Sequence, residues 1–285
     1  MIRKLFFYCA ILCSVHTVKA QGLLAKAETD ANYFPQKPNN IVAVIGAFET
    51  EVQLLKSRLL NSKEEIIEGI KFYTGILNDQ QVVVSRIGIG KVNAAISTAL
   101  LLEHFKPKAV LFSGIAGAMN PALQPGDIVV GKQIAHHDYG RITPTGFQIW
   151  ATQNPYHFNA NPVYFPCDSV LVSIAEKAGK QVHFQFINQY APKIFFGTII
   201  TGDVFLADHE KNKILRQTMH ADAIEMEGAS VAQVCYQQKV KFLIIRSLSD
   251  DADDKATLDF VQYGKMAAEN SAQLVMEILR LMKKE

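Results

Sequence analysis

Phe242-Leu243-Ile244-Ile245-Arg246-Ser247-Leu248 runs directly into Ser249-Asp250-Asp251-Ala252-Asp253-Asp254. An almost wholly apolar run of strand length suits a strand covered by helices on both faces. An acid at its end would stand in the crevice where α/β sheets take their ligands. Runs of the same kind recur at residues 41–46, 72–77, 81–85, 109–113, 127–130 and 198–201. Helix-length patterns lie between them, at 49–60, 92–105, 169–178, 228–237 and about 258–282. This alternation predicts a layered α/β domain. With 285 residues, 49% of them hydrophobic, the chain can bury a large core without disulfides or metal.

The first twenty residues read as an export signal. Arg3 and Lys4 form a basic start, residues 5–15 an apolar stretch, and Val18-Lys19-Ala20 a small-residue cleavage site before Gln21. The apolar stretch falls short of the ~20 residues a membrane span needs, so no stable anchor is expected. The mature protein would be periplasmic or secreted, with residues 21–40 as a polar leader and 41–285 as the domain. Cleavage removes three basic residues and no acid, so the formal charge of +2 falls to about −1. No basic run interleaved with aromatics remains, which argues against nucleic acid as a partner. Cys9 and Cys13 leave with the signal, and Cys167 and Cys235 remain, either as buried small hydrophobes or as a disulfide.

Several motifs point less far than they first suggest. Gly88-Ile89-Gly90-Lys91 follows a strand and opens a helix, yet Asn93 breaks a dinucleotide fingerprint, and Ser85 and Val92 break a phosphate-binding loop. Close backbone approach to a ligand, or a tight turn, remains. His136-His137-Asp138 lacks a second His/Glu pair at ligand spacing, so no metal is expected. No nucleophile elbow is present. Residues 139–166 show little periodicity and several aromatics, including Trp150, Tyr156, Phe158, Tyr164 and Phe165. A segment this long is either a functional loop or a surface excursion.

The acids carry more. Glu225-Met226-Glu227 stands where an extended run gives way to a helix, a place that suits either a functional carboxylate or a helix-capping acid. Asp250, among Asp251, Asp253 and Asp254, is placed to have its proton held towards neutral pH, as a proton donor requires. A solvated Asp-rich turn is the alternative. Glu51 follows the first strand.

Taken in order, Ile45-Gly46-Ala47-Phe48-Glu49-Thr50-Glu51, Gly88-Ile89-Gly90-Lys91-Val92, Ser113-Gly114-Ile115-Ala116-Gly117, Thr201-Gly202-Asp203-Val204-Phe205, Glu225-Met226-Glu227 and Ser249-Asp250-Asp251-Ala252-Asp253 resemble the 5′-methylthioadenosine/S-adenosylhomocysteine nucleosidases of the purine nucleoside phosphorylase superfamily. The resemblance implies a nucleoside phosphorylase-like, three-layer α/β/α single domain around a central mixed sheet, working as a homodimer on a purine nucleoside and water with no organic cofactor. It implies Glu51 as the base that deprotonates water and Asp250 as the acid that protonates adenine N7. Glu227 would hold the ribose hydroxyls, Met226 would pack on the sugar, and Phe205 would stack on adenine. Leu206 would offer backbone to the purine edge and Gly117 would let backbone approach the ligand. Phe260 would line the 5′ end, while Phe48, Ala116, Glu225 and Ser249 complete the substrate-binding set.

Two departures stand out. Ile115 occupies a place where those nucleosidases usually carry Ser or Thr, and an isoleucine side chain donates no hydrogen bond. The Gly114-Ile115-Ala116-Gly117 form resembles the branch containing plant bark and vegetative storage proteins. A phosphate-dependent phosphorylase and a non-catalytic nucleoside-binding or storage protein are the alternatives.

Overall fold

Every apolar run above becomes a strand. In the computed structural model, which describes residues 38–155, 159–187 and 189–283, the chain begins β1 (Asn39–Gly46), α1 (Glu49–Ser57), β2 (Leu60–Ile67), β3 (Ile70–Leu77), β4 (Gln80–Arg86), α2 (Lys91–Phe105). It continues β5 (Pro107–Ala118), β6 (Ile128–His136), β7 (Gly140–Thr143), β8 (Gly146–Ile149), β9 (Tyr164–Pro166), α3 (Ser169–Gly179). It ends β10 (Ile194–Thr201), α4 (His209–Met219), β11 (Ala223–Glu225), α5 (Gly228–Gln237), β12 (Lys241–Asp250), α6 (Ala256–Met282). The expected signal segment 1–20, and residues 21–37 of the expected leader, lie outside the described residues.

The main sheet is mixed, in the order β11-β10-β6-β12-β5-β1-β4-β3-β2. β4, β1, β5 and β12 are parallel neighbours, while β6 runs antiparallel to β12. β5 and β12 are buried almost end to end, because α1, α3 and α6 pack together as one group and α2 and α5 as another. The layered α/β domain expected from the alternation, and the central mixed sheet implied by the resemblance, are therefore present. The unexpected feature is closure. β11 pairs with β10 in parallel and also returns to the end of β5, antiparallel through Ala223–Ala118 and Ile224–Gly117. β5, β12, β6, β10 and β11 thus form a closed ring of strands, and the ends of β5, β11 and β12 converge.

The aperiodic stretch 139–166 contains structure too short to register as periodicity. β7 and β8 form a separate hairpin, and β9 adds antiparallel to β6. The hairpin exposes Ile142, Phe147 and Trp150, with the Arg141 guanidinium 5.6 Å from the Trp150 ring. Cys167 and Cys235 are free and buried, and burial pushes the Cys167 thiol up to about 12, so both serve as small core hydrophobes. Among the described residues, no helix is long and apolar enough to cross a membrane.

Candidate active site

Glu51 sits in the first turn of α1, where chain geometry turns its carboxylate back across the end of β1. Its Oε2 accepts from the N–H groups of Ala47 and Phe48, the second at 3.4 Å, and its Oε1 accepts from Ile115 N–H at 2.9 Å. Burial pushes its pKa up to about 7, against the lowering influence of Arg246 and of the three backbone donors. Gly114 makes room for this arrangement. A Cβ there would lie 2.7 Å from Glu51 Oε1 and 3.0 Å from Arg246 Nη1.

Asp250 is the last residue of β12 and is buried. Its Oδ2 accepts from Ser249 Oγ at 2.7 Å and its Oδ1 from Ala252 N–H at 2.9 Å. Burial raises its pKa, the Ser249 and Ala252 bonds oppose the shift, and Asp251 and Asp259 add to it. Gly117 is required beside it, since a Cβ would come within 2.8 Å of Asp250 Oδ1. Ser249 Oγ also lies 3.4 Å from Ala116 O, a longer alternative acceptor for the one proton it gives to Asp250.

Glu225 and Glu227 are two residues apart, both buried, and differently used. Glu225 Oε2 accepts from Arg246 Nη2 at 2.7 Å, Gly228 N–H at 2.7 Å and Glu227 N–H at 3.1 Å, while Thr201 Oγ1 donates to its Oε1. Glu225, expected among the substrate contacts, has its carboxylate held by these four protein donors. Glu227, at the N-cap of α5, accepts from Gly90 N–H at 2.8 Å, and no other hydrogen bond to its carboxylate is found among the described residues. Burial, then the neighbouring Glu225 charge, raises its pKa.

Arg246 was not singled out from the sequence, yet it organises the floor of the site. It is 1% exposed, its Nη1 donates to Ile245 O at 3.1 Å, and its guanidinium lies 3.8 Å over the Phe112 ring. Among the described residues, its Nε–H is a buried donor without a partner. A lone arginine inside an apolar strand run is the signal that could have found it, because a buried cation demands a buried carboxylate.

The aromatic side of the site is held through Phe260. Its ring centroid stands 6.1 Å from that of Phe48 and 6.2 Å from that of Phe205. Ile115 packs with Phe48, Phe260, Ala267 and Ala268, so its side chain extends this apolar wall while its backbone holds Glu51. Phe205 is 50% exposed, Met226 is half-buried, and Leu206 is buried in a cluster with Met119 and Ala252. His136 and His137 are buried, and His136 Nε2 bonds Gln233. Among the described residues, no group of three or more His, Cys, Asp or Glu is placed to hold a metal.

Three buried carboxylates with raised proton affinity, Glu51, Glu227 and Asp250, can divide proton abstraction, hydroxyl binding and proton donation between them. Comparison with known proteins agrees with that chemistry. Residues 41–280 match the family model of the phosphorylase superfamily. A 5′-methylthioadenosine/S-adenosylhomocysteine nucleosidase of Psychromonas ingrahamii is 42% identical over 240 residues, spanning 84% of this chain and 97% of its own. The nucleosidase structure from Colwellia psychrerythraea in complex with adenine has a TM-score of 0.74 at 38% identity, covering 84% of this chain and 94% of its own. That from Neisseria meningitidis in complex with methylthio-immucillin-A has a TM-score of 0.74 at 36% identity, covering 85% and 100%. The chain therefore belongs to the 5′-methylthioadenosine/S-adenosylhomocysteine nucleosidase family of the phosphorylase superfamily.

Proposed function

We propose that this protein hydrolyses the N-glycosidic bond of 5′-methylthioadenosine or S-adenosylhomocysteine and releases adenine. The observation that carries the reading is that Glu51 and Glu227 are buried within the field of Arg246, while Asp250 is buried at the end of the strand that carries Arg246, beside Gly117 of β5. Asp250, its pKa raised by burial, protonates adenine N7, so the base leaves neutral. Positive charge then develops on the ribose, and the anionic carboxylates around it lower the barrier. Glu227 accepts hydrogen bonds from the ribose hydroxyls. Glu51, poised near neutrality, takes the proton of the attacking water. Arg246 Nε–H, buried and unpartnered, supports water placement at a site where Ile115 offers no hydroxyl. Phe205 stacks on the base, Leu206 meets the purine edge through its backbone, and Met226, Phe48 and Phe260 pack on the sugar and its 5′ group.

Hydrolysis is favoured over phosphorolysis by the same residue. A phosphate entering beside Glu51 would meet a second anion and the Ile115 side chain instead of a hydroxyl. The test is adenine release by purified protein in phosphate-free buffer. Turnover that requires phosphate and yields ribose 1-phosphate identifies a phosphorylase, and binding without turnover identifies a nucleoside-binding or storage protein.

We also infer a homodimer and export. Exposed Ile89, Val92, Val204 and Phe205 crowd the segments that carry the site, the kind of apolar rim a second copy would cover. The basic start, apolar stretch and Ala20-Gln21 junction support cleavage and delivery outside the cytosol. Light scattering should give twice the mature mass, and N-terminal sequencing should begin at Gln21.

A further inference from the structure

Three charged side chains that take no part in the proposed proton transfers tie the rim together. Lys91 follows Gly90, whose N–H holds Glu227 Oε1 at 2.8 Å. Lys91 Nζ donates to Asp138 Oδ1 at 2.6 Å and lies 3.9 Å from Asp203 Oδ2. The Lys91 backbone N–H donates to Asp203 Oδ1 at 2.8 Å, and Asp203 N–H donates to Asp138 Oδ2 at 2.8 Å. These contacts join the turn before α2, the segment after β6 and the segment after β10, which carries Phe205.

This is more than a surface ion pair. The Lys91 and Asp138 side chains are 20% and 25% exposed, and two of the contacts engage backbone N–H groups, so they fix the path of the chain as well as its charge. Asp203 supplies the cap that α2 lacks, because the N-cap of that helix is Gly90, at φ +90°. Gly90 also faces Asp203, whose Oδ1 would lie 3.2 Å from any Cβ placed there.

We propose that Lys91, Asp138 and Asp203 are positioning residues for sugar recognition: they hold the Gly90 N–H against Glu227 and so orient the carboxylate that grips the ribose hydroxyls. The inference rests on the role given to Glu227 above. Glu225 is fixed by Thr201, Arg246 and two backbone N–H groups, so displacing one leaves the rest. Glu227 is oriented by its bond to Gly90. Release of the turn frees that bond, and a carboxylate that swings loses directional contact with the hydroxyls while the buried acid and base are untouched.

The test compares two kinds of substrate on the full-length protein. For wild type, Lys91→Met, Asp138→Asn and the double variant, kcat/KM is measured on 5′-methylthioadenosine and on its 2′-deoxy and 3′-deoxy counterparts, giving a preference ratio for the hydroxylated sugar. Each single variant should lower that ratio about tenfold, the scale of one charge-assisted hydrogen bond. The double variant should be no worse than the worse single, since both act through one contact. A ratio unchanged in the variants overturns the proposal however far absolute activity falls, because loss of folded protein scales all substrates alike. A wild type that turns over none of them, or shows no preference for the hydroxylated sugar, overturns the reading of the site and this proposal with it. Should Asp138→Asn fail to fold, Lys91→Met carries the comparison, since it leaves Asp138 and Asp203 in place.

Discussion

The floor of the site and its rim are built by opposite means. On the floor, Arg246, Glu225 and Thr201 are buried and hold one another, and β11 is stitched to both β10 and β5 beneath them. At the rim, Val204, Phe205, Ile89 and Val92 are half exposed or more, and the Lys91 contacts do the tying. Fixed charge in a dry place is what transition-state stabilisation needs, because dipoles already aligned cost nothing to reorganise during reaction. A rim must admit the nucleoside and release adenine, so its contacts are few and partly wet. Substitutions on the floor should therefore act on turnover and stability, and those on the rim on substrate affinity.

The largest effect should come from Asp250→Asn. Asparagine can keep the hydrogen bond from Ala252 N–H but carries no transferable proton. Turnover should fall by about 10²- to 10⁴-fold, the usual contribution of a positioned acid, with the melting temperature little changed. Wild-type kcat in this variant would move proton donation elsewhere.

Arg246→Met comes next and acts on both stability and chemistry. Breaking one side of a buried ion pair costs about 3–5 kcal/mol, here because Glu225 would be left charged and buried, so denaturant unfolding should show a loss of that order. The pH profile carries the second readout. A base must be ionised, so kcat/KM should climb as pH rises through about 7, where Glu51 loses its proton. The guanidinium favours the charged form of Glu51, and removing it should push the acid limb to higher pH. An unmoved limb would mean that Glu51 does not set it.

How far each region could be read from the sequence follows from the same division. Glu51, Glu227 and Asp250 were visible because each stands where an apolar segment ends, and sheets present such ends to ligands. Arg246 was passed over because an apolar-run reading treats the strand as one unit, and its bond to Glu225 was hidden because two acids flanking Met226 look alike until their donors are known. β2 was missed because all but its last residue is exposed and it carries no apolar run, and α4 because it is largely polar, with Asn212 and Met219 as its buried residues. Ring closure was illegible for a different reason. It rests on β11, three residues long, and on a pairing with β5 across more than a hundred residues, which no local pattern encodes. The Lys91 contacts were hidden likewise, since Lys91, Asp138 and Asp203 come from three separate motifs, one of them weighed and set aside as a metal site.

The mildest expected effect, Phe205→Ala, tests the comparison from the rim side. The ring is 50% exposed and touches Phe260 edge-on at 6.2 Å, so truncation leaves no buried cavity and should not unfold the protein. Stacking of a base on an aromatic contributes roughly 1–3 kcal/mol, and a planar purine stacks as well before the glycosidic bond breaks as during it. An interaction equal in ground and transition states lowers KM without raising kcat, so its loss should raise KM about tenfold at nearly constant kcat. Phe205→Leu, which keeps apolar area but no π face, should recover only part of the affinity. If kcat falls in step with kcat/KM while KM holds, Phe205 contributes to the bond-breaking step itself, and the line drawn between floor and rim lies in the wrong place.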